Sequence, residues 1–417
     1  MTMRNANKIA VALLLSLCGG ALSVSSAVAA EKCEIDKRQS KAVGESAAKK
    51  VQKSFEAYTN GKLDEAIAVL LEANPKNDFD KAYVARMLGN FYAEKGKMDT
   101  AIKYLKQAVE ADILGGTDHA ATLRLYADLL LQEKKFKEAI PYYYKWMDFT
   151  CKADSQMYRR IGIAYTELKQ WDKVIEVADK GLSLAEAPDK GLYQMKLTSY
   201  FNQKKYKKAV GVLEVMVPLF PDDGRLWVQL AQFYLMVEDY DKSLATYDLA
   251  YRNGFLDSGA NITRLAQLMA QKGAPYQAAK VFQKNMKSGL ITEDAKSYEI
   301  LAGFYQNAKE FKEAAEFYGK AAAINNDGKL YLKQGRLLSL NEKYSEAIPV
   351  LEKAISLGIE HPGEANFELA LAHLSLKQYK SAYNRAVLAA KDKKTEKSAN
   401  SYISYIKEKA RMHNVEL

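Results

Sequence analysis

Apolar residues recur at helical spacing through most of the chain, in segments separated by short polar breaks. The stretch LGNFYAEKGKMDTAIKYLKQAVE, residues 88–110, contains two such segments on either side of Gly96. Glycine is unfavourable inside a helix and common just after a helix ends. The pattern therefore predicts two amphipathic helices, with Gly96 ending the first so that the chain reverses into the second.

Versions of this unit recur to the end of the chain, at steps of 33 to 38 residues. Each copy has a small residue just after its polar break: Ala66, Ala101, Ala139, Val174, Ala209, Ser243, Ala278, Ala314, Ala347 and Ala382. In most copies a second small residue lies twelve positions earlier, as at Gly89 and Ala231, and an aromatic residue often lies three positions earlier, as at Trp171. Such a period is typical of stacked supersecondary units.

These positions resemble the tetratricopeptide repeat, a helix–turn–helix unit of about 34 residues. The copy that begins at Gly224 resembles it most, with Trp227, Ala231 and Tyr234 in phase. The resemblance implies an all-α fold, a right-handed superhelical solenoid of about ten units. An apolar stripe after the last unit predicts a C-terminal capping helix that covers the end of the stack. The predicted organisation is a signal peptide at 1–30, an N-terminal tail and the start of the first helix at 31–46, the repeats at 47–394, and the capping helix with its tail at 395–417.

The first thirty residues differ from the rest. Arg4 and Lys8 precede a short apolar run, small residues at Ala27 and Ala29 offer a cleavage site, and no acidic residue comes before Glu31. This is typical of a secretory signal peptide, and we expect export to the periplasm. An uncleaved membrane anchor is the alternative, although the apolar run is short for a bilayer. Removing the two leader cations reduces the formal net charge from +10 to +8.

Cleavage would leave two cysteines, Cys33 and Cys151. In an oxidising compartment such a pair can form a disulfide bond. Because Cys33 is near the mature N-terminus and Cys151 lies in a later repeat, only a flexible N-terminal tail would bring them together. Two free or intermolecular thiols are the alternative.

The sequence predicts no catalytic residues, no metal site and no cofactor, and therefore a protein that is not an enzyme. The four histidines are scattered among the repeats, and none has a cysteine or carboxylate at metal-ligand spacing. Neither a glycine-rich phosphate loop nor a nucleophile motif occurs. Function is then expected to depend on surface shape and binding.

In tetratricopeptide solenoids the first helices of the units line a concave groove that holds a peptide or a partner's helix. By that resemblance, Arg86, Arg124 and Arg159 occupy one groove-facing position in three successive units. Arginine binds carboxylates through two parallel hydrogen bonds, so an acidic segment or a C-terminal carboxylate is the expected ligand. The alternative is that these arginines are solvated or paired with Asp128 and nearby acids.

The resemblance also extends in part to the family's carboxylate clamp. Arg86 and Asn90 match its first element, a basic residue followed four positions later by asparagine, and Arg160 suits a later basic position. Leu125 departs from the pattern where a second asparagine is expected. The candidate groove residues are Arg86, Asn90, Arg124, Arg159 and Arg160.

Two further surface patterns each leave two interpretations open. Lysines recur in the turns, as in EKKFK and QKKYKK. They belong either to ordinary solvated turns, which we favour, or to a basic edge that contacts anionic lipid. Nucleic acid is a third possible ligand of a basic edge, but the expected export argues against it. The aromatic run PYYYKWMDF follows DILGGTDHA, which lies in the longest step between repeats. It either fills an irregular joint, which we favour, or offers a docking patch.

The sequence thus predicts an exported, non-enzymatic scaffold for protein–protein interaction. A leader, the early cysteine in AEKCEIDKRQSKAVGE and about ten repeats resemble the gamma-proteobacterial tetratricopeptide proteins ascribed to the TonB system. That resemblance implies TonB-type or ExbD-type partners in an energy-transduction complex that also contains ExbB. The alternatives are a scaffold for outer-membrane, pilus or polysaccharide export assembly, or an accessory subunit that positions a cell-envelope enzyme.

Overall fold

The computed structural model describes residues 33–417, and the predicted signal peptide lies outside the described residues. Over residues 33–417 the chain is all-α, with 22 helices and no strand, which confirms the predicted fold class. No helix in this range is both long and apolar enough to cross a bilayer. The chain divides into two compact units, and the boundary lies between Ala153 and Asp154.

The first unit contains three helix–turn–helix pairs and a short N-terminal helix. Its helices are α1 (Glu34–Lys37), α2 (Glu45–Thr59), α3 (Leu63–Leu71), α4 (Asp78–Glu94), α5 (Met98–Ala111), α6 (Gly116–Gln132) and α7 (Phe136–Thr150). Helices α2 to α7 pair in chain order, and each pair also contacts the next. Helix α1 lies against α6 and α7.

The second unit contains seven pairs and a terminal helix. Its helices are α8 (Ser155–Glu167), α9 (Trp171–Ser183), α10 (Lys190–Asn202), α11 (Tyr206–Leu219), α12 (Gly224–Met236), α13 (Tyr240–Arg252), α14 (Gly259–Gln271), α15 (Pro275–Lys287), α16 (Ala295–Asn307), α17 (Phe311–Asn325), α18 (Gly328–Leu340), α19 (Tyr344–Ser356), α20 (Pro362–Ser375), α21 (Tyr379–Ala389) and α22 (Glu396–Met412). Ile406 of α22 is buried against Ala382 and Ala386 of α21, so α22 covers the last pair.

The ten small residues that mark the repeats are all fully buried, at 0% exposure. They allow the two helices of a pair to approach closely, as do the glycines on the first helices. A Cβ atom on Gly89 would lie 2.6 Å from the Leu105 side chain, and one on Gly335 would lie 2.5 Å from Leu351. A larger side chain at these positions would force the two helices apart, because protein interiors are close-packed.

The turn inside every pair has the same backbone conformation. Five positions before each marker residue the backbone is left-handed, with φ near +75° at Gly61 and Gly96 and +86° at Gly273. In the other seven pairs a lysine or glutamate adopts φ between +55° and +63°: Lys134, Lys169, Lys204, Glu238, Lys309, Glu342 and Lys377. The predicted role of Gly96 is confirmed, and side chains elsewhere adopt a conformation that favours glycine.

Substitutions at these turns are expected to change stability with opposite signs. We expect Gly96→Ala to lower the free energy of unfolding by about 1 kcal/mol, since alanine is strained at positive φ. Lys169→Gly should raise it by about 0.5 kcal/mol, because relief of strain exceeds the added flexibility of the unfolded chain. Urea denaturation measures both effects, with Lys169→Ala as the control for loss of charge alone. Equal midpoints for Gly96→Ala and the wild type would contradict this account.

Candidate peptide-binding site

Arg86 is more firmly held than Arg124 and Arg159. It lies on α4, whose first turn is capped by the Asn77 side chain accepting from the Asp80 amide. Its Nη2 atom is 2.8 Å from Oδ1 of Asp118 on α6, and its guanidinium lies 5.5 Å from the centre of the Tyr83 ring. The ion pair links the first helices of two successive repeats, and it would have to open or share the guanidinium with an arriving carboxylate.

Arg124 on α6 is more accessible. Its Nε atom is 4.0 Å from Oδ2 of Asp128, and its guanidinium lies 5.6 Å from the centre of the Trp146 ring. Asp128 also accepts a hydrogen bond from the Tyr143 hydroxyl at 2.7 Å. The alternative expected from the sequence, pairing of the arginine with Asp128, is therefore present, but at a long distance. The Trp146 ring holds the Arg124 guanidinium by a cation–π contact.

Arg159 on α8 is the most exposed of the three, with 52% of its side chain accessible. Its Nη1 atom is 4.0 Å from Oδ1 of Asp189. That carboxylate also caps α10 by accepting from the backbone amides of Gly191 and Leu192, at 2.8 and 3.2 Å. A Cβ atom on Gly191 would lie 3.0 Å from the guanidinium carbon, so glycine leaves the arginine room against the first turn of α10.

Arg159 faces an open cleft of about 830 Å³ in the second unit. The cleft lies between the start of α8, the loop 184–189 and the start of α10. Two of its other charged residues have local roles: Asp154 caps α8 by accepting from the Met157 amide at 2.7 Å, and Lys190 pairs with Asp223.

Lys190 is bound by a carboxylate, Asp223, that stays charged. Hydrogen bonds from Lys190 and then from Arg225 lower the pKa of Asp223 to about 2, so the carboxylate remains charged in the folded protein. Arg159 is consequently the cleft cation best placed to receive a carboxylate from outside.

The remaining candidates lie beside these arginines. Asn90 follows Arg86 by one turn of α4 and is half-buried, and Arg160 is half-buried next to Arg159 on α8. The structure thus places Arg86, Asn90 and Arg124 in the first unit and Arg159 with Arg160 in the second. Sequence reasoning missed Asp118 and Asp189, which lie on or beside the next first helix and contact the arginines across repeats.

Cys33 and Cys151 are joined by a disulfide bond within the first unit, with their Cα atoms 5.9 Å apart. The tail between Cys33 and α2 is not simply a flexible tether. Its helix α1 lies on α6 and α7, and Arg38 donates from Nη1 to the carbonyl oxygen and to Oδ1 of Asp112, both at 2.8 Å. The sequence signal for this contact was the long spacing between repeats that contains DILGGTDHA. From the sequence alone, that spacing indicates only an irregular joint between repeats.

Several lysines at or beside the turns form ion pairs between neighbouring repeats. In each of these ion pairs, a lysine at or beside one turn contacts an aspartate at the start of the second helix of the preceding repeat. Examples are Lys135–Asp99, Lys205–Asp172 and Lys272–Asp241, at 3.2, 3.7 and 2.5 Å. Exposed pairs of this kind contribute about 0 to 1 kcal/mol each. They favour the interpretation as ordinary solvated turns.

The aromatic run of α7 is largely buried. Tyr143, Trp146 and Phe149 are all buried, and Tyr142 packs edge-on against Tyr126 with ring centres 4.6 Å apart. Burial raises the pKa of both tyrosines. These contacts favour the joint over a docking patch.

Candidate metal-ligating side chains are dispersed over residues 33–417, and one histidine, His119, is buried. No group of three or more histidine, cysteine or acidic side chains there is placed to hold a metal ion. His119 is buried, with Nε2 3.0 Å from Oδ1 of Asp112, and burial lowers its pKa. Burial thus disfavours the charged imidazole, and the ring packs against Phe149, whose ring centre is 4.9 Å away.

Comparison with known protein families identifies the repeats. Two sequence profiles, both described as tetratricopeptide repeat, match residues 80–149 and 332–398. One match lies in each compact unit. The class that this fold defines is a scaffold for protein–protein interaction, which is typically non-catalytic and binds proteins or peptides.

Solved structures give weaker likenesses. A tetratricopeptide repeat protein from Parabacteroides merdae is 17% identical with a TM-score of 0.36, over 71% of this chain and 99% of that one. MamA from Desulfovibrio magneticus is 21% identical with a TM-score of 0.34, over 43% of this chain and 97% of its own. These values are too low to indicate a shared partner. No curated protein matches the chain significantly.

Proposed function

We propose that this chain is an exported scaffold that captures an acidic protein segment through the arginines on its first helices. The exposed guanidinium of Arg159, at the mouth of the cleft between α8 and α10, is the observation that carries the proposal. Its carboxylate neighbour Asp189 is 4.0 Å away and is engaged in capping α10. A ligand carboxylate can therefore form shorter, charge-assisted hydrogen bonds than the protein itself supplies.

In the first unit, Arg124 is the corresponding contact. Its long 4.0 Å separation from Asp128 and its position over Trp146 leave the guanidinium oriented and partly exposed. Arg86 contributes a second charge, which it shares with Asp118. Each unit thus offers arginine to a carboxylate, and an acidic segment gains charge-assisted hydrogen bonds that neutral sequences lack.

Export to the periplasm is part of the proposal. It is supported by the leader-like composition of residues 1–30 and by the disulfide bond, because disulfides persist in oxidising compartments and are rare in the cytosol. Fractionation of cells, with N-terminal sequencing of the mature protein, tests this directly. Recovery of the uncleaved chain in the cytosol would contradict export.

For the partner we propose a TonB-type or ExbD-type protein, on the resemblance of the leader, the early cysteine and the repeats to the tetratricopeptide proteins of that system. The family profiles that match describe the repeat alone, so this proposal depends on that resemblance. Crosslinking in intact cells followed by mass spectrometry tests it. Recovery of TonB-type or ExbD-type proteins supports it, whereas a dominant pilus, polysaccharide-export or outer-membrane assembly machine would replace it with the alternative scaffold role.

The arginines are tested by charge reversal. We expect the triple variant Arg86→Glu, Arg124→Glu and Arg159→Glu to weaken binding of a fluorescent hexaglutamate peptide by about tenfold or more, since each lost charged hydrogen bond costs about 1.5–3 kcal/mol. Fluorescence anisotropy at low salt measures the affinity, and a pull-down from periplasmic extract measures partner recovery.

A matched variant controls for the change in net charge. Lys103→Glu, Lys137→Glu and Lys173→Glu place the same charges on exposed positions of the second helices α5, α7 and α9. This control should keep most of the binding. Equal binding by the wild type and the arginine variant would remove these arginines from the site, and equal loss in both triple variants would show that net charge alone drives the interaction.

A further inference from the structure

We propose that residues 33–44 form a thiol-controlled strap, which the Cys33–Cys151 disulfide holds across the first unit and which reduction releases. The inference rests on the proposed function where it concerns peptide binding, and on the geometry of the first unit alone where it concerns the strap. The strap is attached at both ends. Cys33 is bonded to Cys151, the residue that follows α7, and the Gly44 amide donates at 2.9 Å to Oδ1 of the buried Asp80 on α4.

Two glycines form the seat of the strap. The Gly116 amide donates to the Arg38 carbonyl oxygen at 3.0 Å. A Cβ atom on Gly116 would lie 2.0 Å from the Ile35 carbonyl oxygen, and one on Gly115 would lie 2.9 Å from the Ser40 Cα. No residue with a side chain fits there while the strap is bound. The long step between the second and third repeats, with its paired glycines, therefore creates a surface shaped for this segment.

A charged contact fixes the middle of the strap. Arg38 donates to both the carbonyl oxygen and the carboxylate of Asp112, and its guanidinium lies 4.9 Å from the centre of the Phe149 ring. The hydrogen bond from Arg38 lowers the pKa of Asp112 and keeps that carboxylate charged. Asp112 also contacts the buried His119. Arg38 thus lies over the Phe149 ring and binds the carboxylate that pairs with His119.

The strap depends on its covalent bond because the segment has little structure of its own. Helix α1 has four residues, which is far below the length at which an isolated helix is stable. Ordering the whole segment costs conformational entropy that a few hydrogen bonds offset only in part. A tether at Cys33 raises the local concentration of the strap at its seat, as linkage does for any second contact.

The bond is placed where a reductant can reach it. Cys151 is exposed and Cys33 is half-buried. A dithiol reductant attacks one of the two sulfurs as a thiolate, forms a mixed disulfide, and is then released as its own disulfide. The Cys33–Cys151 bond gains two electrons and two protons and becomes two thiols, while the dithiol loses the same number.

Release of the strap reaches Arg86 through α6. The seat at Gly116 is the first residue of α6, and Asp118, in the first turn of that helix, holds Arg86 at 2.8 Å. The oxidised strap therefore fixes the end of α6 from which Asp118 positions Arg86. Loss of the strap frees that end, and the orientation of Arg86 becomes less defined.

Hydrogen–deuterium exchange of the mature chain tests the strap without any ligand. In the oxidised protein we expect the amides of residues 112–120 to be protected, and dithiothreitol should speed their exchange by about tenfold or more, with residues 259–271 of α14 unchanged. The Cys33→Ser, Cys151→Ser variant should exchange at the fast rate with or without dithiothreitol. Gly116→Val should show the same fast exchange with its disulfide intact, because the side chain occupies the seat.

Identical exchange of residues 112–120 in the oxidised and reduced wild type would overturn the proposal. The affinity for the hexaglutamate peptide is the second measurement. Reduction is expected to weaken peptide binding severalfold in the wild type and to leave binding by the Cys33→Ser, Cys151→Ser variant unchanged. If the peptide binds neither redox form, the proposed function fails, while the exchange result still decides the strap. If amide exchange depends on the redox state but peptide affinity does not, the link from the strap to Arg86 is wrong, while the strap itself is supported.

Discussion

Replacing Phe282 with alanine is expected to lower the free energy of unfolding of the second unit by about 3–5 kcal/mol. The ring is 1% exposed and packs edge-on against Phe304, with ring centres 5.7 Å apart. It belongs to a core that continues through α13 to α18, so the cavity cannot close by movement of one helix. The loss should exceed that of a single surface substitution several times over.

Trp227 gives a local measurement of this effect, because it packs against the same core. In a Trp146→Phe, Trp171→Phe background it is the one remaining tryptophan, and its fluorescence during urea denaturation follows the second unit. Tyr276→Ala is the matched control, since this residue is 42% exposed on the same helix as Phe282. We expect the control to change stability by less than about 1 kcal/mol. A similar effect of both substitutions would contradict a continuous core at Phe282.

Removal of the disulfide is expected to lower the free energy of unfolding of the first unit by about 2–5 kcal/mol. The bond joins residues 118 positions apart, and a cross-link that closes so long a loop restricts the unfolded chain strongly. The Cys33→Ser, Cys151→Ser variant should therefore unfold at a lower urea concentration than the oxidised wild type. Because the chain has two compact units, the measurement has to follow the first unit separately.

Trp146 provides that measurement in a Trp171→Phe, Trp227→Phe background, since it is buried in α7. Reduced wild type and the double serine variant should unfold at the same midpoint, both below that of the oxidised wild type. The Phe282 core, followed through Trp227, should be unaffected by the cysteine substitutions. Equal midpoints for the oxidised wild type and the double variant would show that the cross-link contributes nothing to the stability of the first unit.

The repeat fold could be predicted from the sequence because its determinants are local and periodic. Ala101 and its counterparts follow a fixed number of residues after each turn, and Gly96 lies where the backbone must become left-handed. Close helix approach requires small residues in every copy, so ten copies repeat one signal. Lysine carries no local preference for positive φ, so at Lys134 and Lys169 only the shared register with Gly96 indicates that conformation.

The site was harder to predict because its decisive contacts join residues far apart in the sequence. The sequence indicated Arg86, Arg124 and Arg159 by their shared position, but not that Asp118 lies 2.8 Å from the first. Nothing in the spacing of DILGGTDHA identifies residues 35–40 as the segment that lies on its glycines. Such contacts depend on how helices stack, and a single sequence gives no direct information about that geometry.

The shared left-handed reversals have an evolutionary consequence for the second unit. Each reversal has a positive φ, between +55° and +86° in this unit, whether glycine, lysine or glutamate occupies it. Excision of the segment between Lys204 and Gly273 would remove four helices, which is two complete repeats, and would join α10 to α15 through one such turn residue. Loss or gain of repeats at such positions therefore changes the length of the stack while every remaining helix pair keeps its turn.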